Sequence, residues 1–166
     1  LLIGTAAYAS SIMLSGTVAG GFTSAECITS PCPGWTTTSD GIWQYGSPAQ
    51  PSYVAFAPYG GFSTKLDGKA VSIAQIQFQN AVNWGSGWKP EDDPTASYAA
   101  ALSIQLLFTS LGGQTADFVW DLNVNAIRNG QDTLFQLPTS IAPVRVAVDG
   151  KLYDLNLLGF YQKNTQ

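Results

Sequence analysis

The chain has 166 residues, 45% hydrophobic, 12% aromatic and only 11% charged. That is enough apolar mass for one domain burying roughly 70% of its unfolded surface, and too little Glu, Lys and Arg for a coiled coil. Seven basic against eleven acidic residues give a net charge of −4, which excludes the clustered Lys and Arg needed to bind nucleic acid or to anchor on anionic lipid. Histidine is absent, which removes Ser-His-Asp and Cys-His nucleophilic chemistry and most zinc sites. No catalytic, cofactor-binding or metal-ligating set is expected, and an enzyme is the least expected class.

The chain opens on LLIGTAAYASSIML, residues 1–14, uncharged and mostly apolar. The run is too short for a membrane helix of about 20 residues. Laid out as a strand it is apolar on both faces. Leu1, Ile3, Ala7, Ala9 and Met13 fall on one side, and Leu2, Ala6, Tyr8, Ile12 and Leu14 on the other. Surface strands alternate with polar residues, so this one expects burial on both sides. It is read as an N-terminal extension and a donor strand for a neighbouring copy, ahead of a domain over residues 15–166. The rivals are a strand folded back on its own domain, a buried helix, and the remnant of a signal segment. The absence of an initiator Met fits a processed form or a fragment.

A strand is expected over residues 12–22. Cys27 and Cys32 follow in CITSPCPG. The spacing suits a disulfide closing a small loop, contributing roughly 2 kcal/mol, and lacks the C-x-x-C of a redox pair. A disulfide implies an oxidising, extracytoplasmic compartment. Further strands are expected over 41–45 and 52–57. Ile76 and Phe78 alternate with Gln75, Gln77 and Gln79, which predicts another half-buried strand.

Trp84 and Trp88 flank Gly-Ser-Gly on a turn. Two indoles on a loop suit a sugar ring; the plainer role is to cap the edge of the fold. Trp35, Trp43 and Trp120 are expected in the core. Glu91, Asp92 and Asp93 are the one acidic cluster, without the ligand spacing of a calcium loop, and are read as solvated.

Ile104, Leu106 and Phe108 alternate with Ser103, Gln105, Leu107 and Thr109, and Phe118, Trp120, Leu122 and Val124 with Asp117, Val119, Asp121, Asn123 and Asn125. Asp117 and Asp121 lie on the opposite side of the second run, about 13 Å apart at 3.3 Å per residue. That is too far for a glycosidase pair and suits a polar outer face. Residues 133–137, 144–148 and 152–160 complete the pattern, with Asp149-Gly150 as a two-residue hairpin turn. The expected fold is all-β, an antiparallel β-sandwich or jelly roll of about eight to ten strands. Phe56, Phe78, Ile104, Leu106, Phe108, Phe118, Trp120, Leu122 and Leu157 are its expected core.

The order of several segments resembles the choice-of-anchor K domain of secreted bacterial proteins. They are Leu14-Ser-Gly-Thr17 with Gly21-Phe22, Gly41-Ile-Trp43-Gln-Tyr-Gly46-Ser-Pro48, and Ser52-Tyr-Val-Ala-Phe56. Then come Phe118-Val-Trp-Asp-Leu-Asn-Val-Asn125, Asp132-Thr-Leu-Phe-Gln-Leu-Pro138, and Gly150-Lys-Leu-Tyr-Asp-Leu-Asn-Leu-Leu-Gly-Phe160. The resemblance implies a secreted β-rich module, often carrying a PEP-CTERM-type sorting tail, with no catalytic residues to carry over. Domains of that family continue beyond the final Leu-Gly-Phe with a further strand, whereas this chain ends six residues after Phe160. A sandwich short of one strand exposes an edge, and the N-terminal segment of a neighbour is the expected cover.

Two functions are therefore expected. The first is an extracellular, cell-surface filament or sheath subunit that polymerises with copies of itself through Leu1, Leu2, Ile3, Ala6, Tyr8, Ile12 and Leu14. The alternative is a monomeric secreted adhesin or glycan-binding module using Trp84 and Trp88.

Overall fold

The computed structural model describes residues 2–5, 12–30, 35–47, 50–79, 95–127, 134–136 and 141–159. They form an all-β sandwich whose sheets are antiparallel throughout. One layer is a five-stranded sheet built on three long strands: β2 (Met13–Cys27), β9 (Thr95–Phe108) and β10 (Gln114–Ile127). Short strands flank them, β6 (Gly61–Lys65) beside β2 and β11 (Leu134–Gln136) beside β10, giving the order β11-β10-β9-β2-β6.

Alternation dictates this layer. β9 and β10 pair along their full length, from Gln114 opposite Phe108 to Ile127 opposite Thr95. A 3-10 turn, Thr109–Leu111, joins them. Every second residue of β9 from Tyr98 to Phe108 is buried, and so are its partners Ala116, Phe118, Trp120, Leu122 and Val124. The other face carries Ser103, Gln105, Thr115, Asp117 and Asp121. Period-two patterning of this kind buries one face of a sheet and leaves the other in water.

Two four-stranded sheets cover the buried face. One has the order β3 (Trp35–Ser39), β4 (Ile42–Ser47), β5 (Gln50–Pro58), β8 (Ala74–Gln79). The other has the order β12 (Val144–Val148), β13 (Lys151–Gly159), β1 (Leu2–Thr5), β7 (Val71–Ser72). The first sits over the Phe22 and Tyr98 end of the long sheet, where Phe22, Trp43, Tyr45 and Tyr98 stack with centroids 5.2–5.9 Å apart. The second sits over the opposite end, where Gln114 bonds to Ala147. The chain passes from one covering sheet to the other at buried Ile73, between β7 and β8. Ile3, Trp43, Phe118 and Leu155 accordingly belong to one contiguous core.

Thirteen strands lie among the described residues; ten have five residues or more, and β1, β7 and β11 have two to four. The hairpin at Asp149-Gly150 is as expected: both residues have positive φ, 49° and 73°, the left-handed pair a two-residue turn demands. Asp40-Gly41, at 46° and 77°, makes the same turn between β3 and β4.

Several expectations are corrected. Strand β2 runs past residue 22, because a bulge between Phe22 and Ser24 absorbs one residue and restarts the pairing with β9. Strands β3 and β6 were not expected from alternation. Phe78 is 43% exposed rather than in the core. It lies on β8, the last strand of its sheet among the described residues. Trp35 is also exposed, at 37%. Register explains it: Thr36 and Thr38 pair with Tyr45 and Trp43 and share their inward face, so Trp35 falls on the other.

Candidate assembly site

The described part of the N-terminal segment is seated in the sandwich of its own chain. Strand β1 is interior to its sheet. On one side it pairs with β13, Leu2 opposite Gly159 and Ile3 to Thr5 opposite Leu157, Asn156 and Leu155. On the other it pairs with β7, Leu2 opposite Ser72 and Ile3 opposite Val71. Ile3 is only 3% exposed. Ile12 packs partly buried against the core and its carbonyl accepts from the Leu66 amide at 2.9 Å. Met13 and Leu14 open β2, with Leu14 buried. Within one chain the segment thus takes the fold-back arrangement, and the division at residue 14 falls inside β2. Leu1, Ala6 and Tyr8 lie outside the described residues, and for Leu2 the backbone pairing alone is described.

The slot that β1 fills is bounded by elements far apart in the sequence, β7 near the middle and β13 near residue 155. Without β1 those two strands would each present an unpaired edge. The outer edge of the same sheet, β12, is treated differently. The Gln114 side-chain amide donates to the Ala147 carbonyl at 2.8 Å, and its carbonyl accepts from the Ala147 amide at 3.1 Å. Beside it Arg145 pairs with Asp154 at 3.0 Å. Sequence reasoning missed Gln114; a glutamine at the start of a strand carries no local signal of a partner 33 residues away.

The other candidates are less concentrated. Cys27 ends β2, half-buried, and among the described residues no cysteine is free. Cys32 lies outside the described residues, as do Trp84, Trp88 and Glu91, Asp92 and Asp93. Asp117 and Asp121 are exposed on the outer face of β10, and Asp117 accepts from the Gln105 amide at 2.7 Å. Among the described residues no three His, Cys, Asp or Glu gather as a metal site would require, and no helix is long and apolar enough to cross a membrane.

Burial perturbs one titrating group clearly. Tyr98 lies in the aromatic stack, its hydroxyl has no hydrogen-bond partner among the described residues, and desolvation pushes its pKa from 10.0 up to about 12. Trp43, in the same stack, donates its indole N–H to the Thr36 hydroxyl at 2.9 Å, and that hydroxyl donates to the Gln44 carbonyl at 3.0 Å. Both rings are buried, and these groups serve packing.

No family model, curated protein or solved structure matches the chain.

Proposed function

We propose that the protein is an extracellular structural subunit that assembles into a filament or sheath by exchanging its N-terminal strand between copies. The observation that carries this reading is the position of β1, a four-residue strand inserted between β13 and β7 with Ile3 buried. A short strand that completes a sheet can complete the same sheet of a neighbour with identical contacts. Each copy then accepts one strand and gives one, a head-to-tail contact that extends without closing. Low charge over the strand faces suits side-by-side packing of such polymers.

The extracellular setting is supported by the proposed Cys27–Cys32 disulfide, a bond of oxidising compartments. Reduction is expected to add two hydrogens to the intact mass. Free labelling of both thiols in untreated protein refutes the pairing.

The register supplies the test of exchange. Gly4 lies opposite Asn156, so a Gly4→Cys, Asn156→Cys variant reports which chain fills the slot. Oxidised after concentration, it is expected to give a ladder of covalent multimers on a non-reducing gel. A crosslink confined to single chains under those conditions refutes strand exchange.

A further inference from the structure

We propose that the outer face of the β3-β4-β5-β8 sheet is a binding platform for a neutral polysaccharide. None of these four strands contains Asp, Glu, Lys or Arg. The other two sheets do carry charge, at Glu26, Lys65, Asp117 and Asp121 in one and Arg145, Lys151 and Asp154 in the other. In place of charge this face has two rings and a set of amides. Register fixes their layout. Gln44, Tyr53 and Gln79 are direct cross-strand partners, so the phenol has an amide on each side, one strand spacing of about 4.8 Å away. Gln75, Gln77 and Gln79 project from the same side of β8 at intervals of about 6.8 Å, and all three are exposed. Trp35 lies on the same face at the opposite edge, two residues before Thr37, which pairs with Gln44. Exposed indole on an edge strand is the feature that core packing leaves unexplained.

The chemistry selects the ligand. A sugar ring offers an apolar C–H face to an aromatic ring, and its hydroxyls both donate and accept, as a carboxamide does. One face of a sheet presents these groups in rows, matched to an extended chain. An acidic polysaccharide needs Arg or Lys to hold its anions, and the four strands supply neither. This site is separate from the exchange of β1, which lies in a different sheet.

Native gels cast with hydroxyethyl cellulose or galactomannan test the proposal at dilutions where the protein is monomeric, so that failure to polymerise leaves the readout intact. The wild type is expected to be retarded by at least one of the two, with Trp35→Ala and Tyr53→Ala each weakening retention about tenfold. Val119→Ser, on the outer face of the long sheet, is expected to be retarded like the wild type, and matching thermal midpoints confirm that the variants fold. Three results overturn the proposal. One is no retardation in either polymer. Another is retardation that Trp35→Ala and Tyr53→Ala leave unchanged. The third is stronger retardation in an acidic polymer such as alginate.

Discussion

Tyr98 places a phenol in the middle of the core, and its environment makes stability depend on alkaline pH. The ring packs 5.3 Å from that of Tyr45, while the hydroxyl has no hydrogen-bond partner among the described residues. Burial disfavours the phenolate, so the folded pKa, about 12, stands above the unfolded value of 10.0. The sign follows: Tyr98's contribution is fully present below pH 10 and is lost as pH rises through about 12, because only the unfolded chain releases the proton in that window. Tyr98→Phe is expected to match or exceed the wild type by about 1 kcal/mol at pH 7, since it removes a buried unpaired hydroxyl. It is also expected to lose less stability between pH 10 and 12. Urea titrations at pH 7, 10 and 12 measure both effects, and parallel losses in the two proteins refute the assignment. Gly16 is a second sensitive residue. A Cβ there would run into the Leu107 carbonyl and the Phe62 ring. Gly16→Ala is expected to destabilise by about 1–3 kcal/mol, seen as a lower urea midpoint at unchanged slope.

At the scale of elements, the edge of β12 illustrates how a sheet border is kept from pairing with a stranger. Val148 and Lys151 flank the Asp149-Gly150 turn, so alternation points the backbone groups of Val148, Val146 and Val144 toward β13 and those of Ala147 and Arg145 outward. The Gln114 amide occupies the outward groups of Ala147, donating to one and accepting from the other as a strand residue would. Arg145 adds a charge to the same border. Gln114→Ala is expected to cost about 1–3 kcal/mol for two hydrogen bonds and to raise non-specific aggregation, measured by thermal midpoint and light scattering. Unchanged scattering would mean that the amide is not what guards the edge. Alternation made several strands legible: β9, β10 and β12 follow the apolar pattern, and eight of the nine expected core side chains are buried. Strand β3 escaped because its inward positions are Thr36 and Thr38, of which Thr36 serves as partner to the Trp43 indole. Strand β6 buries only Phe62 in five residues, too little to make a pattern. The Asp40-Gly41 dipeptide was a usable signal for the β3–β4 hairpin, identical to the one at 149–150. The assembly site was legible only as an apolar segment, because nothing in residues 1–14 specifies which two strands it joins.

For the whole molecule, the balance at β1 would decide when the proposed exchange takes place. Burying Ile3 contributes roughly 1.5–3 kcal/mol, whereas ordering the four residues of β1 costs about 1–2 kcal/mol each. The hydrogen bonds to β13 and β7 must supply the rest, at about 0.5–1.5 kcal/mol apiece. Such a strand holds weakly unless it is tethered. Covalent connection to its own domain sets an effective concentration of order millimolar. A neighbour's strand makes the same contacts, so exchange competes only when the protein approaches that concentration. The chain is therefore expected to sediment as a monomer at micromolar concentration and to polymerise near millimolar. Removing residues 1–5 tests the same balance from the other side. The shortened chain leaves β7 and β13 unpaired, and is expected to melt at a lower temperature and to form no polymer at any concentration. A peptide of residues 1–8, added at millimolar concentration, is expected to restore part of the lost stability without restoring polymers, since it fills the slot and offers none in return. Polymers formed by the shortened chain, or a melting temperature equal to that of the full chain, would show that β1 neither completes the sheet nor links the copies.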